Sequence, residues 1–190
     1  MIKTEKLCKT FGEIKAVNEV SLTITDNSIL GLAGTNGAGK STLLRILAGV
    51  LRQDSGKILV DGQEVYENPA CKREIFFLPD SSYFFQNSSI CDMARYFSMY
   101  YPRYDVARVE KLADKLGLEK KRKISTFSKG MKRQAAMLLG VCAGTKYLFC
   151  DETFDGLDPV MRQAAKSILA YEVSEREFTP IIASHNPVSY

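Results

Sequence analysis

Residues 34–42 read Gly-Thr-Asn-Gly-Ala-Gly-Lys-Ser-Thr and satisfy the pattern G-x-x-x-x-G-K-[ST]. The chemistry this spacing suits is the grip on a nucleotide's phosphates. Gly34, Gly37 and Gly39 let the backbone turn and approach a ligand closely, so the N–H groups along Thr35, Asn36 and Ala38 can point at phosphate oxygens. Lys40 stands where an ammonium reaches the outer phosphates. Ser41 stands where a hydroxyl ligates Mg²⁺, and Thr42 opens the following helix. A second pair of chemical groups is Asp151 and Glu152, at the end of the apolar run Tyr147-Leu148-Phe149-Cys150. A phosphate loop needs a carboxylate near its metal at the C-terminal end of a neighbouring parallel strand, and Asp151 fits. Glu152 is then placed to polarise or deprotonate an attacking water. Phosphoryl transfer asks for positioning and charge neutralisation more than for covalent chemistry, so this small set suffices.

Elements of the right kind flank these groups. Ile29–Ala33 reads as a buried strand and Thr42–Ala48 as a helix whose N-terminus favours anions. Ile2–Cys8 and Lys15–Ile24 alternate as strands with one polar face. Lys57–Val60, Asp61-Gly62 and Gln63–Tyr66 carry a hairpin signal, because Asp-Gly tolerates a tight turn. Glu74–Leu78 reads as a short buried strand stopped by Pro79. Helices are expected over Ile90–Tyr101, Asp105–Leu116, Gly130–Ala143 and Val160–Val173, and strands over Lys146–Cys150 and Thr179–Ser184. Strands alternating with helices at both ends, around a helical insert over roughly 88–144, predict a parallel sheet with a helical subdomain.

The totals exclude little. The chain has 190 residues, a size expected for one domain spanning 1–190. Its net charge of +4 is too mild to call for a nucleic-acid partner. Met1–Lys6 lacks the apolar stretch of a signal peptide, and no apolar run approaches the length of a membrane span. Five scattered cysteines without C-x-x-C spacing read as reduced, mostly buried thiols.

Four more segments join these groups. They are Phe127-Ser128-Lys129-Gly130-Met131, Asp155-Gly156-Leu157-Asp158, Ser184-His185 and Phe11. Together the chain resembles the nucleotide-binding domain of ATP-binding cassette (ABC) proteins over essentially its whole length. The first segment resembles the family signature written LSGGQ, the second its D-loop and the third its switch histidine. The resemblance implies an α/β P-loop NTPase fold with a mostly parallel core and an N-terminal antiparallel β subdomain. It implies ATP and Mg²⁺ as ligands, with Phe11 stacking on adenine and Ser41 and Asp151 on the metal. Lys40, Glu152 and His185 are then the catalytic groups. Ser128, Lys129 and Gly130 would face the γ-phosphate held by a second copy or a related ATPase chain. A membrane-spanning transporter subunit on a separate chain is the implied partner, docking near Tyr83-Phe84-Phe85, with the protein peripheral to the cytoplasmic membrane.

Several positions depart from that pattern. Lys129 replaces a signature glycine and Met131 the usual Gln or Glu, a form that resembles an S-K-G-M branch of exporter ATPases. Thr153 stands where proline is common, and Asp155 where serine is. Asp80, after Phe77-Leu78-Pro79, stands at the Q-loop glutamine position and is expected to hold Mg²⁺ through water. Five residues follow His185, fewer than the family normally has, so a C-terminally short chain with an exposed sheet edge is expected. Lys120-Lys121-Arg122-Lys123 reads as a solvated loop, with lipid headgroups the alternative. The rival functions are a soluble ABC ATPase of DNA repair or translation, and a nucleotide-binding interaction protein that does not hydrolyse.

Overall fold

The computed structural model describes residues 1–185. Strands β1 (Ile2–Phe11) and β2 (Ile14–Ile24) form one antiparallel sheet with β4 (Ser55–Val60). The other sheet is parallel and contains β3 (Leu30–Ala33), β5 (Ile75–Leu78), β6 (Tyr147–Asp151) and β7 (Thr179–Ser184). Its order is β3-β7-β6-β5, so β6 and β7 are central and β3 lies at an edge. Both central strands are buried at every position, as unbroken apolar runs must be when helices cover both faces.

On one face, α1 (Lys40–Leu47) packs Leu44 and Leu47 into a core with Phe149 and Ile181, closed by Ile2, Ile24 and Val60 of the antiparallel sheet. This contact seats the antiparallel sheet beside the phosphate loop. On the other face lie α5 (Lys129–Val141) and α6 (Pro159–Glu175), whose Met137 and Leu169 meet Phe76, Leu148 and Ile182. A Cβ on Gly140 would lie 3.1 Å from both Leu148 and Phe76, so glycine lets α5 press on the sheet. Complete burial of a side chain such as Phe149 contributes about 2 kcal/mol.

A third core joins α5 to α3 (Ile90–Ser98) and α4 (Val106–Lys115) through Ile90, Val109, Ile124 and Leu138. The helix starts follow the sequence. Ser89 and Asp92 form a reciprocal capping box, Asp105 caps α4 and Ser128 caps α5. Most expected elements recur with ends moved by a few residues. The hairpin is the exception. Asp61 and Gly62 do turn at positive φ, and Val60 pairs with Gln63, but no strand follows. Instead Val65 drops fully into the core, and Asn68 caps the short helix α2 (Pro69–Lys72). Burying one valine here outweighs continuing a two-stranded ribbon at a sheet edge.

Candidate functional site

The loop 34–39 leaves β3 at the C-terminal end of the parallel sheet and enters α1 at Lys40. Gly39 adopts φ 81°, and a Cβ there would lie 1.9 Å from the carbonyl oxygen of Ala16 in β2. Only glycine both takes this conformation and lets β2 lie against the loop. The loop is tightened by the Ala38 N–H donating to Thr35 at 3.2 Å, while space beyond Gly37 is open. No side chain caps α1, so the N–H groups of its first turn, including Ser41 and Thr42, are left for an anion. The buried Lys40 ammonium turns back and donates to the loop's own carbonyls, Gly34 at 2.6 Å and Thr35 at 3.0 Å. A phosphate would offer it a charged acceptor, and such bonds are roughly twice as strong.

Across the sheet, the Ser41 hydroxyl donates to Asp151 Oδ1 at 2.7 Å, joining positions 110 residues apart. Asp151 is 2% exposed. Burial pushes its carboxyl above the usual range, while the Ser41 bond and Arg45 pull it back. A buried carboxylate bonded to a neutral hydroxyl is a hard-oxygen pair that fits Mg²⁺, and the cation would supply the missing positive charge. Glu152 follows at φ 53°, the left-handed region that a non-glycine residue enters at a cost. Its N–H donates to the Ala183 carbonyl at 3.0 Å, and its carboxylate meets His185 Nε2 at 2.7 Å. The other imidazole nitrogen lies 3.5 Å from the Lys40 ammonium. His185 thus stands between Lys40 and Glu152, bringing the start of α1 to the ends of the adjacent strands β6 and β7.

Phe11 is half exposed at the hairpin end of β1, with the Lys9 ammonium 5.5 Å from its ring. It pairs with Ile14, two residues before the Ala16 that lies against Gly39. Asn36 is exposed on the same loop. Ser128 and Lys129 are exposed at the start of α5, and Gly130 lies beside Met161 of α6. Among the described residues, no hydrogen bond joins Ser128, Lys129 or Gly130 to the phosphate loop.

The Asp80 Oδ1 accepts from Arg133 of α5 at 2.9 Å, an ion pair whose partner the sequence does not announce. Asp80 adds to the negative field at Asp151 without bonding to it. Sequence reasoning missed Arg133, which also passes beneath the D-loop: a Cβ on Gly156 would lie 2.2 Å from its Nη1. An unexpected acid at position 80 was the signal that a cation must lie nearby. In the basic run Lys120 pairs with Asp114 and Glu110, and Arg122 with Glu119, while Lys121 and Lys123 are exposed. Tyr83 is exposed and meets Phe85 edge to face, while Phe84 lines a cavity of about 280 Å³ with Phe77, Pro79 and Tyr101.

A comparison with protein families matches residues 17–155 to the family described as ABC transporter. That span runs from β2 through the phosphate loop to the D-loop. The chain belongs to the ABC transporter family. It is 32% identical over 185 residues to the ABC transporter ATP-binding protein YtrB of Bacillus subtilis (strain 168), covering 97% of this chain and 63% of YtrB. It is 28% identical to the lipopolysaccharide export system ATP-binding protein LptB of Haemophilus influenzae, over 98% of this chain and 80% of LptB. The chain thus spans less than two thirds of YtrB and about four fifths of LptB. A solved ATP-binding subunit of an ABC transporter matches with a TM-score of 0.86 at 21% identity, over 97% of this chain and 79% of that one. That likeness shows the ABC ATPase fold, with its parallel core and antiparallel sheet. No helix among the described residues is long and apolar enough to cross a membrane.

Proposed function

We propose that this chain binds and hydrolyses ATP as the energy-supplying subunit of an ABC transporter. The observation that carries the reading is the convergence of Lys40, Ser41, Asp151, Glu152 and His185 around one glycine-rich loop. Lys40 and the loop N–H groups bind and neutralise the phosphates. Ser41 and Asp151 would hold Mg²⁺, which neutralises charge on the phosphates when bound. Glu152 accepts a proton from the attacking water, and His185, held against it, contacts the γ-phosphate side of the site. Phe11 is the adenine platform.

We further propose that residues 1–190 act as one ATPase domain with a helical subdomain over roughly 88–144. Two copies, or one copy and a related chain, close with Ser128, Lys129 and Gly130 facing the partner's nucleotide. The closure drives a separate membrane-spanning subunit, seated at the cavity beside Tyr83 and Phe84, with the protein peripheral to the cytoplasmic membrane. Export is the proposed direction, supported by the S-K-G-M resemblance. Nucleic acid is not part of the reading.

The test is Mg²⁺-ATP hydrolysis by the purified chain beside Lys40→Ala and Glu152→Gln. Lys40→Ala is expected to lose nucleotide binding. Glu152→Gln is expected to keep it, to accumulate as a dimer with ATP, and to lose about 10²–10⁴-fold in kcat, the scale of one general base. Wild-type turnover in Glu152→Gln would remove Glu152 from its role. ATP binding without phosphate release in the wild type would favour the non-hydrolysing interaction protein.

A further inference from the structure

We propose that Asp155 is a positioning residue whose carboxylate fixes His185 between Glu152 and Lys40. The family resemblance places serine at this point of the D-loop, and the site described above does not use the substituted acid. In this chain both of its oxygens are spent on the end of β7. Oδ1 accepts from the Ser184 hydroxyl at 2.6 Å, and Oδ2 accepts from the His185 backbone N–H at 2.9 Å.

The turn that delivers the carboxylate is tightly specified. Glu152 is pinned to Ala183 through its N–H, and the Asp155 N–H donates back to the Glu152 carbonyl at 3.1 Å. The chain therefore doubles back over the end of the strand within four residues. His185 is the first residue past β7, where the sheet ladder no longer fixes the backbone. Both bonds to Asp155 have an ionised acceptor, which makes them short and strong. They hold residue 185 where its imidazole reaches Glu152 at 2.7 Å on one side and Lys40 at 3.5 Å on the other. A serine offers one neutral hydroxyl oxygen on a shorter side chain, so it cannot place a separate acceptor atom on each group as the two carboxylate oxygens do. The same residue thus links the D-loop to the switch histidine within one chain.

His185 is the only histidine in the sequence, so its imidazole resonances report on this contact without assignment ambiguity. The experiment records long-range ¹H–¹⁵N spectra of the imidazole in wild type, Asp155→Ala, Asp155→Asn, Ser184→Ala and Glu152→Gln, with thermal melts on each. Glu152→Gln marks where the signals move when the Glu152 contact changes. Asp155→Ala is expected to move or broaden the imidazole signals in a folded chain, with Asp155→Asn and Ser184→Ala intermediate. The kinetic arm rests on the ATPase reading. There Asp155→Ala is expected to lower kcat about ten- to a hundredfold, the scale of a misplaced catalytic group, with KM for ATP within about twofold. Wild-type imidazole signals in a folded Asp155→Ala would overturn the inference. If that variant does not fold, unchanged spectra in both Asp155→Asn and Ser184→Ala would do so. A wild-type chain that never turns over ATP would count against the ATPase reading alone, and the spectra would still decide this one.

Discussion

Glu172 and Asp151 are both buried carboxylates, 0% and 2% exposed, yet they keep different company. Glu172 lies near the end of α6, at the edge of the sheet where β6 and β7 begin. It is clasped by Arg108 and by Arg176, whose Nε lies 2.7 Å away. Arg176 then donates to Thr145 at 2.6 Å and Val141 at 3.1 Å and lies over the Phe178 ring at 4.2 Å. Burial pushes its guanidinium down to about 10, still charged at neutral pH. Asp26, Asp61, Lys146 and Tyr147 form a second matched cluster at the same end. At the opposite end, Asp151 has a neutral hydroxyl for a partner, and the Lys40 ammonium has carbonyls of its own loop. One end of the sheet satisfies its charges internally. The other leaves the Asp151 carboxylate and the Lys40 ammonium on neutral partners, at positions a cation and a nucleotide would occupy. Buried charge by itself does not mark a site; buried charge with neutral partners does.

Removing Glu172 tests the matched end. Glu172→Ala leaves two guanidinium groups without their carboxylate and is expected to cost about 3–5 kcal/mol, the scale for breaking a buried pair. Thermal melting should show it as a Tm lowered by roughly 10 °C or more in a chain of this size. A melt unchanged by this substitution would erase the contrast drawn above.

Asp151→Asn tests the other end, with the opposite sign. The folded carboxyl is raised by burial, so its contribution favours folding below the unfolded pKa and is lost as pH rises through the folded value. At neutral pH the ionised group therefore destabilises the ligand-free chain. Asparagine keeps the oxygen that accepts from Ser41, so the variant is expected to melt a few degrees higher while losing Mg²⁺-dependent turnover. A lower Tm would mean that Asp151 is a structural carboxylate like Glu172.

The smallest expected effect is a pH dependence in the second cluster. At Asp26, burial raises the carboxyl, but hydrogen bonds from the Met1 ammonium, Lys146 and Tyr147 outweigh it and hold the group down to about 2. A lowered folded pKa stabilises above the unfolded value of 3.8 and stops doing so as pH falls through about 2. The share of stability that Asp26 contributes is thus expected to hold above pH 5 and to fall between pH 4 and 2. Asp26→Asn should fall less steeply over that window, and identical slopes would remove Asp26 from the matched cluster.

Much of this was legible in the residues. The phosphate loop, its strand and helix, Asp151-Glu152 and the caps at Ser89, Asp105 and Ser128 all rest on local chemistry, where neighbours in sequence are neighbours in space. The hairpin failed because Asp61-Gly62 fixes a turn but cannot say whether Val65 pairs or buries. The ion pair of Asp80 with Arg133, 53 residues away, was not legible, because position 80 in the sequence says nothing of its partner. Asp155 stood out as a departure, but its two hydrogen bonds reach across to positions 184 and 185.

The sequence by itself determined which groups could meet a phosphate and a cation, because backbone freedom, charge and hydrogen-bonding capacity belong to residues. Only the tertiary structure decided which of them share a partner. Parallel pairing of β6 with β7 and of β7 with β3 is what lines Asp151, His185 and the loop along one edge. That adjacency comes from burying apolar surface on both faces of a four-stranded sheet, a property of the whole chain that no local spacing contains.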